Sequence, residues 1–169
     1  MRIYVDACTI IRATEGSDEI ADRLVKILEL GDPGARARIL TSAVSFAEVM
    51  TGPLKRLHAD RRDHDAERLV GIYTALLSGR IFPGKKHAII EIIELTASVS
   101  WNAADLRARR ASLKLPDAIH IGSALSAECD TILSDDKRLL NAAVSVDLVT
   151  CAFQPGDLDV LLARIEAAP

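Results

Sequence analysis

Ile3-Tyr4-Val5-Asp6 near one end of the chain and Thr131-Ile132-Leu133-Ser134-Asp135-Asp136 near the other are the two stretches on which the fold turns. Each is a short apolar run that stops at a carboxylate. A strand buried on both faces of a parallel sheet reads as continuous apolar residues, without the alternation of a half-solvated strand. Both runs fit that description. Open parallel sheets place their active sites beyond the carboxyl ends of the strands, so Asp6 and Asp136 fall on the edge where chemistry is expected.

Working outward from these runs, helical and extended stretches alternate. Asp18 to Leu30 carries Ile20, Leu24, Ile27 and Leu28 at a helical period, and Gly31-Asp32-Pro33-Gly34 stops it. Arg38 to Thr41 reads as a second strand. Ser45 is then placed as an N-cap with Glu48 three residues on, the spacing of a capping box. Asp60 to Ser78 is amphipathic, Arg80 to Lys86 is a turn-rich connection, and Ala88 to Leu95 reads equally as a strand or a buried helix. Trp101 to Leu113 reads as helix, and Pro116 opens another over Asp117 to Glu128, as proline does in a first turn. A short helix from Asp136 to Asn141, a strand from Val146 to Thr150 and a helix from Gly156 to Ala167 complete the chain. The pattern predicts an α/β fold, a parallel sheet covered by helices on both faces, with all 169 residues in one domain.

Composition narrows the function. Aromatic residues are only 4%, which argues against a surface that grips single strands by base stacking. The net charge of −3 is not that of a protein that binds nucleic acid by bulk electrostatics, so any such site must be local or borrow charge from metal. No apolar run is long enough to span a membrane, and the first residues lack a signal-peptide core. Cys8, Cys129 and Cys151 are odd in number with no CxxC spacing, as expected of reduced thiols in the cytoplasm.

Four acids sit in apolar surroundings where a surface charge is not expected: Asp6, Glu48, Asp117 and Asp136. Each has a plain structural reading when taken alone. Glu48 is equally a capping residue, Asp117 an acid in a first helical turn, and Asp6 an Asx-turn residue. Gathered in one pocket, they would repel one another and raise their pKa values unless a hard cation such as Mg²⁺ or Mn²⁺ relieved the conflict.

The four segments, in this order, resemble a PIN domain. Tyr4-Val5-Asp6-Ala7-Cys8-Thr9-Ile10-Ile11 resembles the family's opening strand with its first acid, and Ser45-Phe46-Ala47-Glu48-Val49 the helix with its second. Leu113-Lys114-Leu115-Pro116-Asp117-Ala118-Ile119-His120 resembles the most distinctive segment, with the third. Ser134-Asp135-Asp136-Lys137-Arg138-Leu139 resembles the strand end with the fourth. There Ser134 supports the site, and Asp136 fits better than Asp135 because Leu139 then takes the apolar place three residues on. Where relatives often carry Ser or Asn two residues after the first acid, this chain has Cys8.

The resemblance implies a three-layer α/β/α sandwich and a Mg²⁺- or Mn²⁺-dependent endoribonuclease. Its reaction would be one-step hydrolysis of single-stranded RNA at Asp6, Glu48, Asp117 and Asp136. Small members resemble VapC toxins, which implies a cognate antitoxin and a homodimer. A non-catalytic PIN-like protein-binding module is the alternative, and a structure-specific DNA nuclease ranks lower. Arg107, Arg110 and Lys114 are candidate RNA contacts, with Arg109 beside them. Lys55, Arg56, His58, Arg61 and Arg62 read equally as a phosphate track or a solvated helix junction. His120 reads as a packed helix histidine.

Overall fold

The computed structural model describes residues 1–31, 36–78 and 90–168. Its centre is a five-stranded sheet, every neighbouring pair parallel, in the order β3-β2-β1-β4-β5. The strands are β1 (Arg2–Val5), β2 (Arg38–Ser42), β3 (Ile90–Ile93), β4 (Thr131–Leu133) and β5 (Val149–Cys151). Eight helices among the described residues connect them: α1 (Ala7–Glu15), α2 (Glu19–Glu29), α3 (Ala43–Ala59), α4 (His64–Leu77), α5 (Ala97–Arg109), α6 (Leu115–Ser126), α7 (Lys137–Val144) and α8 (Pro155–Glu166).

Strand residues alternate between two apolar cores. Ile3, Val5, Ile39 and Leu133 pack with α1, α2, α4 and α8 on one face. Tyr4, Leu40 and Ile132 pack with α5, α6 and α7 on the other. This is the α/β/α sandwich expected from the alternation of elements. The chain leaves β1 toward the first face through α1 and leaves β4 toward the second through α7. Neighbouring strands whose connections diverge open a crevice between their carboxyl ends, which is where ligands bind in such sheets. Here the carboxyl ends of those strands meet at Asp6 and Ser134.

The helices that carry the acids are held from behind. α6 lies tightly on α5 because Gly122 has no side chain: a Cβ there would be 2.9 Å from the Val99 carbonyl oxygen. That close approach seats α6, the helix that carries Asp117, against α5.

Several local expectations change. α1 has no counterpart in the sequence reading. The segment read as strand or helix at Ala88 to Leu95 is a strand from Ile90 onward. Ser45 is not an N-cap: α3 begins at Ala43 with Ser42 in the cap position, and Ser45 is buried in the first turn, accepting from Thr41 Oγ1 at 2.7 Å. The capping box with Glu48 is therefore absent, and the Glu48 side chain is free for another partner. α5 begins four residues before Trp101, because the Thr96 side chain caps it at Val99. The turns proposed at Arg80 to Lys86 and at Asp32-Pro33-Gly34 lie outside the described residues.

Candidate acidic site at the sheet edge

Asp6 ends β1 and caps α1, so its position follows from the strand-to-helix turn itself. It is buried, with 5% of its surface exposed. Oδ1 accepts from the Thr9 amide at 3.0 Å and from Thr9 Oγ1 at 2.9 Å. The Thr9 hydroxyl also lies 2.9 Å from the Leu133 carbonyl, so its one proton is shared between β1 and β4. Oδ2 accepts from Ser134 Oγ at 2.5 Å. Cys8 Sγ donates to the same carboxylate at 3.0 and 3.1 Å. Burial first, and the Asp6 charge second, push the Cys8 thiol up to about 12. A thiol held protonated is a donor and not a nucleophile.

Ser134 links the first acid to the fourth. The Asp136 amide donates to Ser134 Oγ at 3.0 Å while that hydroxyl donates to Asp6. Asp136 then caps α7, accepting from the amides of Arg138 at 2.8 Å and Leu139 at 3.4 Å. Arg138 Nη2 reaches back to Asp136 at 3.1 Å and holds its carboxyl below the ordinary range. Asp135 is exposed and meets the cluster through its backbone, its amide donating to Cys8 Sγ at 3.4 Å.

Asp117 lies in the first turn of α6, half-buried. Burial raises its carboxyl above the ordinary value, against opposing attraction from Arg138; the Asp136 charge raises it further. No hydrogen bond to this carboxylate enters that balance among the described residues. One turn later, His120 is 4% exposed, as a packed histidine should be. It nonetheless touches an acid: Nε2 lies 3.1 Å from Glu48 Oε2, and Nδ1 lies 2.7 Å from Tyr4 Oη. Burial keeps the Tyr4 hydroxyl well above its ordinary pKa and so protonated.

Asp6 and Asp136 are thus joined through Ser134, Asp117 and Asp136 feel each other's charge, and Glu48 reaches the Asp117 helix through His120. The basic candidates are less gathered. Arg107 Nε bonds the Leu113 carbonyl at 3.3 Å and Arg110 Nη1 the Asn141 carbonyl at 3.3 Å, while Arg109 pairs with Asp105. Lys114 is exposed, and its charge favours ionised Asp117. Arg56 pairs with Asp63 at the junction of α3 and α4, in line with the solvated-junction reading. Sequence reasoning passed over Arg138, the cation nearest the acids. Its position two residues after Asp136 was the available signal.

All four acids offer hard carboxylate oxygens, the donors that Mg²⁺ and Mn²⁺ select. The raised Asp117 carboxyl is the conflict a cation relieves. As the side chains stand, no three His, Cys, Asp or Glu groups among the described residues converge to hold an ion. Asp136 is engaged by Arg138 and Glu48 by His120. The donor chemistry fits such an ion, with one oxygen of Glu48 held by His120 and one of Asp136 by Arg138. Beside the acids, a cleft of about 470 Å³ opens between Cys8, Ile11, Arg12, Ile20, Asp135, Phe153 and Gln154.

The fold and site define a parallel α/β protein with Asp6 and Asp136 linked through Ser134 at the switch point of its sheet. The chain belongs to the PIN domain family, whose match runs over residues 3–145. β5 and α8 lie beyond that match but belong to the same sheet and core. Among solved structures, the chain is similar to VapBC2 from Rickettsia felis bound to a DNA fragment from its promoter. That match has a TM-score of 0.64 at 13% identity, over 91% of this chain and 100% of that one. FitAcB from Neisseria gonorrhoeae gives 0.55 at 16%, over 88% and 95%. VapC20 from Mycobacterium tuberculosis, a toxin that cleaves the sarcin-ricin loop, gives 0.54 at 17%, over 83% and 94%. At these identities the likeness is one of fold. No curated protein matches the sequence. Among the described residues, no helix is long and apolar enough to cross a membrane.

Proposed function

We propose that this chain is a single-domain, divalent-cation-dependent endoribonuclease that hydrolyses phosphodiester bonds of single-stranded RNA as the toxin of a toxin–antitoxin pair. The observation that carries the reading is the linkage of Asp6 to Asp136 through Ser134 at the sheet's switch point, in a chain of the PIN family. Asp6, Glu48, Asp117 and Asp136 hold the cation, with Ser134 in support. When bound, Mg²⁺ or Mn²⁺ makes a water nucleophilic near neutral pH and stabilises charge on the leaving oxygen.

The chain's own groups do the rest. Thr9, Cys8 and Ser134 fix the Asp6 carboxylate before any ligand arrives. Arg138 supplies, next to the acids, positive charge that a net charge of −3 lacks overall. Lys114, Arg107 and Arg110 extend that charge along the α5–α6 connection toward an RNA backbone. The cleft beside Cys8 has room for a nucleotide flanking the scissile bond. Phe46 and Leu54, exposed on the helix that carries Glu48, offer an antitoxin or a second copy an apolar contact near the site. Cytoplasmic residence follows from the same role.

One observation favours a second reading, a non-catalytic PIN-like binding module. No three candidate ligands converge among the described residues, and two of the four acids already have partners. Cleavage of labelled single-stranded RNA, measured with Mn²⁺ or Mg²⁺, with EDTA, and with Asp117→Asn, separates the two. Cleavage that needs both the ion and Asp117 supports the nuclease. A folded protein that takes up Mn²⁺ and cuts neither RNA nor DNA leaves the binding module.

A further inference from the structure

Glu48 and Asp117 come from helices on opposite faces of the sheet, yet a line of hydrogen bonds crosses the carboxyl edge between them. It starts at the end of β2, where the Ser42 amide donates to Tyr4 Oη at 3.2 Å. Tyr4 Oη lies 2.7 Å from His120 Nδ1, and His120 Nε2 lies 3.1 Å from Glu48 Oε2. Ser42 Oγ stands 3.4 Å from the same Nδ1. Tyr4 and His120 are both buried, their rings in an edge-to-face contact with centroids 5.9 Å apart.

One assignment of protons satisfies every group on this line. An ionised carboxylate only accepts, so Nε2 must carry a proton to bond Glu48. The Tyr4 oxygen accepts from an amide that can only donate, and its own hydroxyl proton then points at Nδ1. The Nε2–H imidazole meets both demands at once. The partner of one ring nitrogen sets what the other presents.

We propose that Tyr4 and His120 are positioning residues: Tyr4 selects the Nε2–H tautomer of His120, which holds Glu48 by one oxygen at the sheet edge and leaves the other for a cation. The proposal rests on the reading above for Glu48 as a cation ligand. It assigns a task to a histidine that packing alone explains only as core, and to a tyrosine hydroxyl far from solvent.

The first test uses the unaltered, metal-free protein. Long-range ¹H–¹⁵N correlation spectra at neutral pH should find His120 as the Nε2–H tautomer; the Nδ1–H tautomer or an imidazolium overturns the proposal. Tyr4→Phe should then mix the tautomers and weaken Mn²⁺ binding, read by EPR titration, by about 10–100-fold, the usual cost of losing a group that orients a ligand. His120→Gln, which keeps an N–H donor, should retain more Mn²⁺ affinity than His120→Leu, and adding Tyr4→Phe to it should change little. Unchanged Mn²⁺ affinity in folded Tyr4→Phe and His120→Leu overturns the proposal. RNA cleavage is scored separately. Unaltered protein that binds Mn²⁺ but cuts no RNA sinks the nuclease reading and leaves the relay standing, whereas failure to bind Mn²⁺ at all sinks both.

Discussion

The corner where β1 turns into α1 and the first turn of α6 each hold one carboxylate of the candidate site, and they hold it in opposite ways. Asp6 is buried among donors: an amide, two hydroxyls and a thiol. Asp117 is half-buried with no hydrogen bond in its charge balance, and burial lifts its carboxyl above the ordinary value. Donors aimed at a carboxylate stabilise its charged form and the fold around it. Burial without donors destabilises that form and stores a demand for a counter-ion. In the proposed nuclease, one acid serves the architecture as much as the chemistry, while the other is held ready for a cation.

The sharpest way to break this contrast is to remove the charge at each place. Asp117→Asn should lower RNA cleavage by at least about 100-fold, since losing a cation ligand removes several kcal/mol of transition-state stabilisation. The melting temperature should hold or rise. A clear fall in melting temperature would place Asp117 with Asp6 as a structural acid. Ser134→Ala, which cuts the bond joining Asp6 to Asp136, should lower cleavage by about 10–100-fold and also speed unfolding, because the Asp136 amide loses its acceptor. Asp6→Ala should lose activity and stability together. An N-cap is worth about 0.5–2 kcal/mol and each buried donor left unpaired about 1–3 kcal/mol. A net loss of about 2 kcal/mol would lower the melting temperature by about 4–8 °C in calorimetry.

The smallest effect is the pH dependence of the metal-free protein. Asp117, raised when folded, disfavours the fold increasingly as pH rises from its unfolded value near about 4 through its folded value. The melting-temperature advantage of Asp117→Asn should therefore be present at pH 7 and vanish below about pH 4. Asp136, lowered by Arg138, has the opposite sign. Its contribution is present above about pH 4 and is lost as pH falls through its lowered value. Arg138→Ala should cost little at pH 7, because the pair is largely exposed, and nothing at strongly acid pH. An advantage of Asp117→Asn that persisted at low pH would point to packing and not charge.

How much of this was legible beforehand differs between the same two regions. β4 was readable to the residue, because Thr131 to Leu133 is apolar and bounded by turn chemistry. The acids stood out because apolar neighbours make a charge conspicuous. α1 was not legible: Thr9, Ile10 and Ile11 are β-branched and favour strands locally, and the helix exists because Asp6 caps it and its apolar face is buried. The capping box failed because Ser45 and Glu48 have the right spacing but Ser42 ends the strand. The Tyr4–His120–Glu48 line joins residues 116 and 72 positions apart, which no local pattern encodes. Arg138, by contrast, stands two residues from Asp136, and that nearness was the signal passed over before α7 turned it back onto the acid.

The pairing of β1 with β4 brings Ile3 beside Thr131 and Val5 beside Leu133. β1 is the central strand, so its second edge stays open until Thr131 to Leu133 have been made. Contacts this distant in sequence form late, because loop closure must precede them, and chains emerge from the ribosome amino end first. Asp6 cannot meet Ser134 and Asp136 in a half-made chain. A nascent copy therefore carries the first acids for many seconds without the last, and the edge that joins Asp6 to Asp136 is assembled only after β4 has left the ribosome.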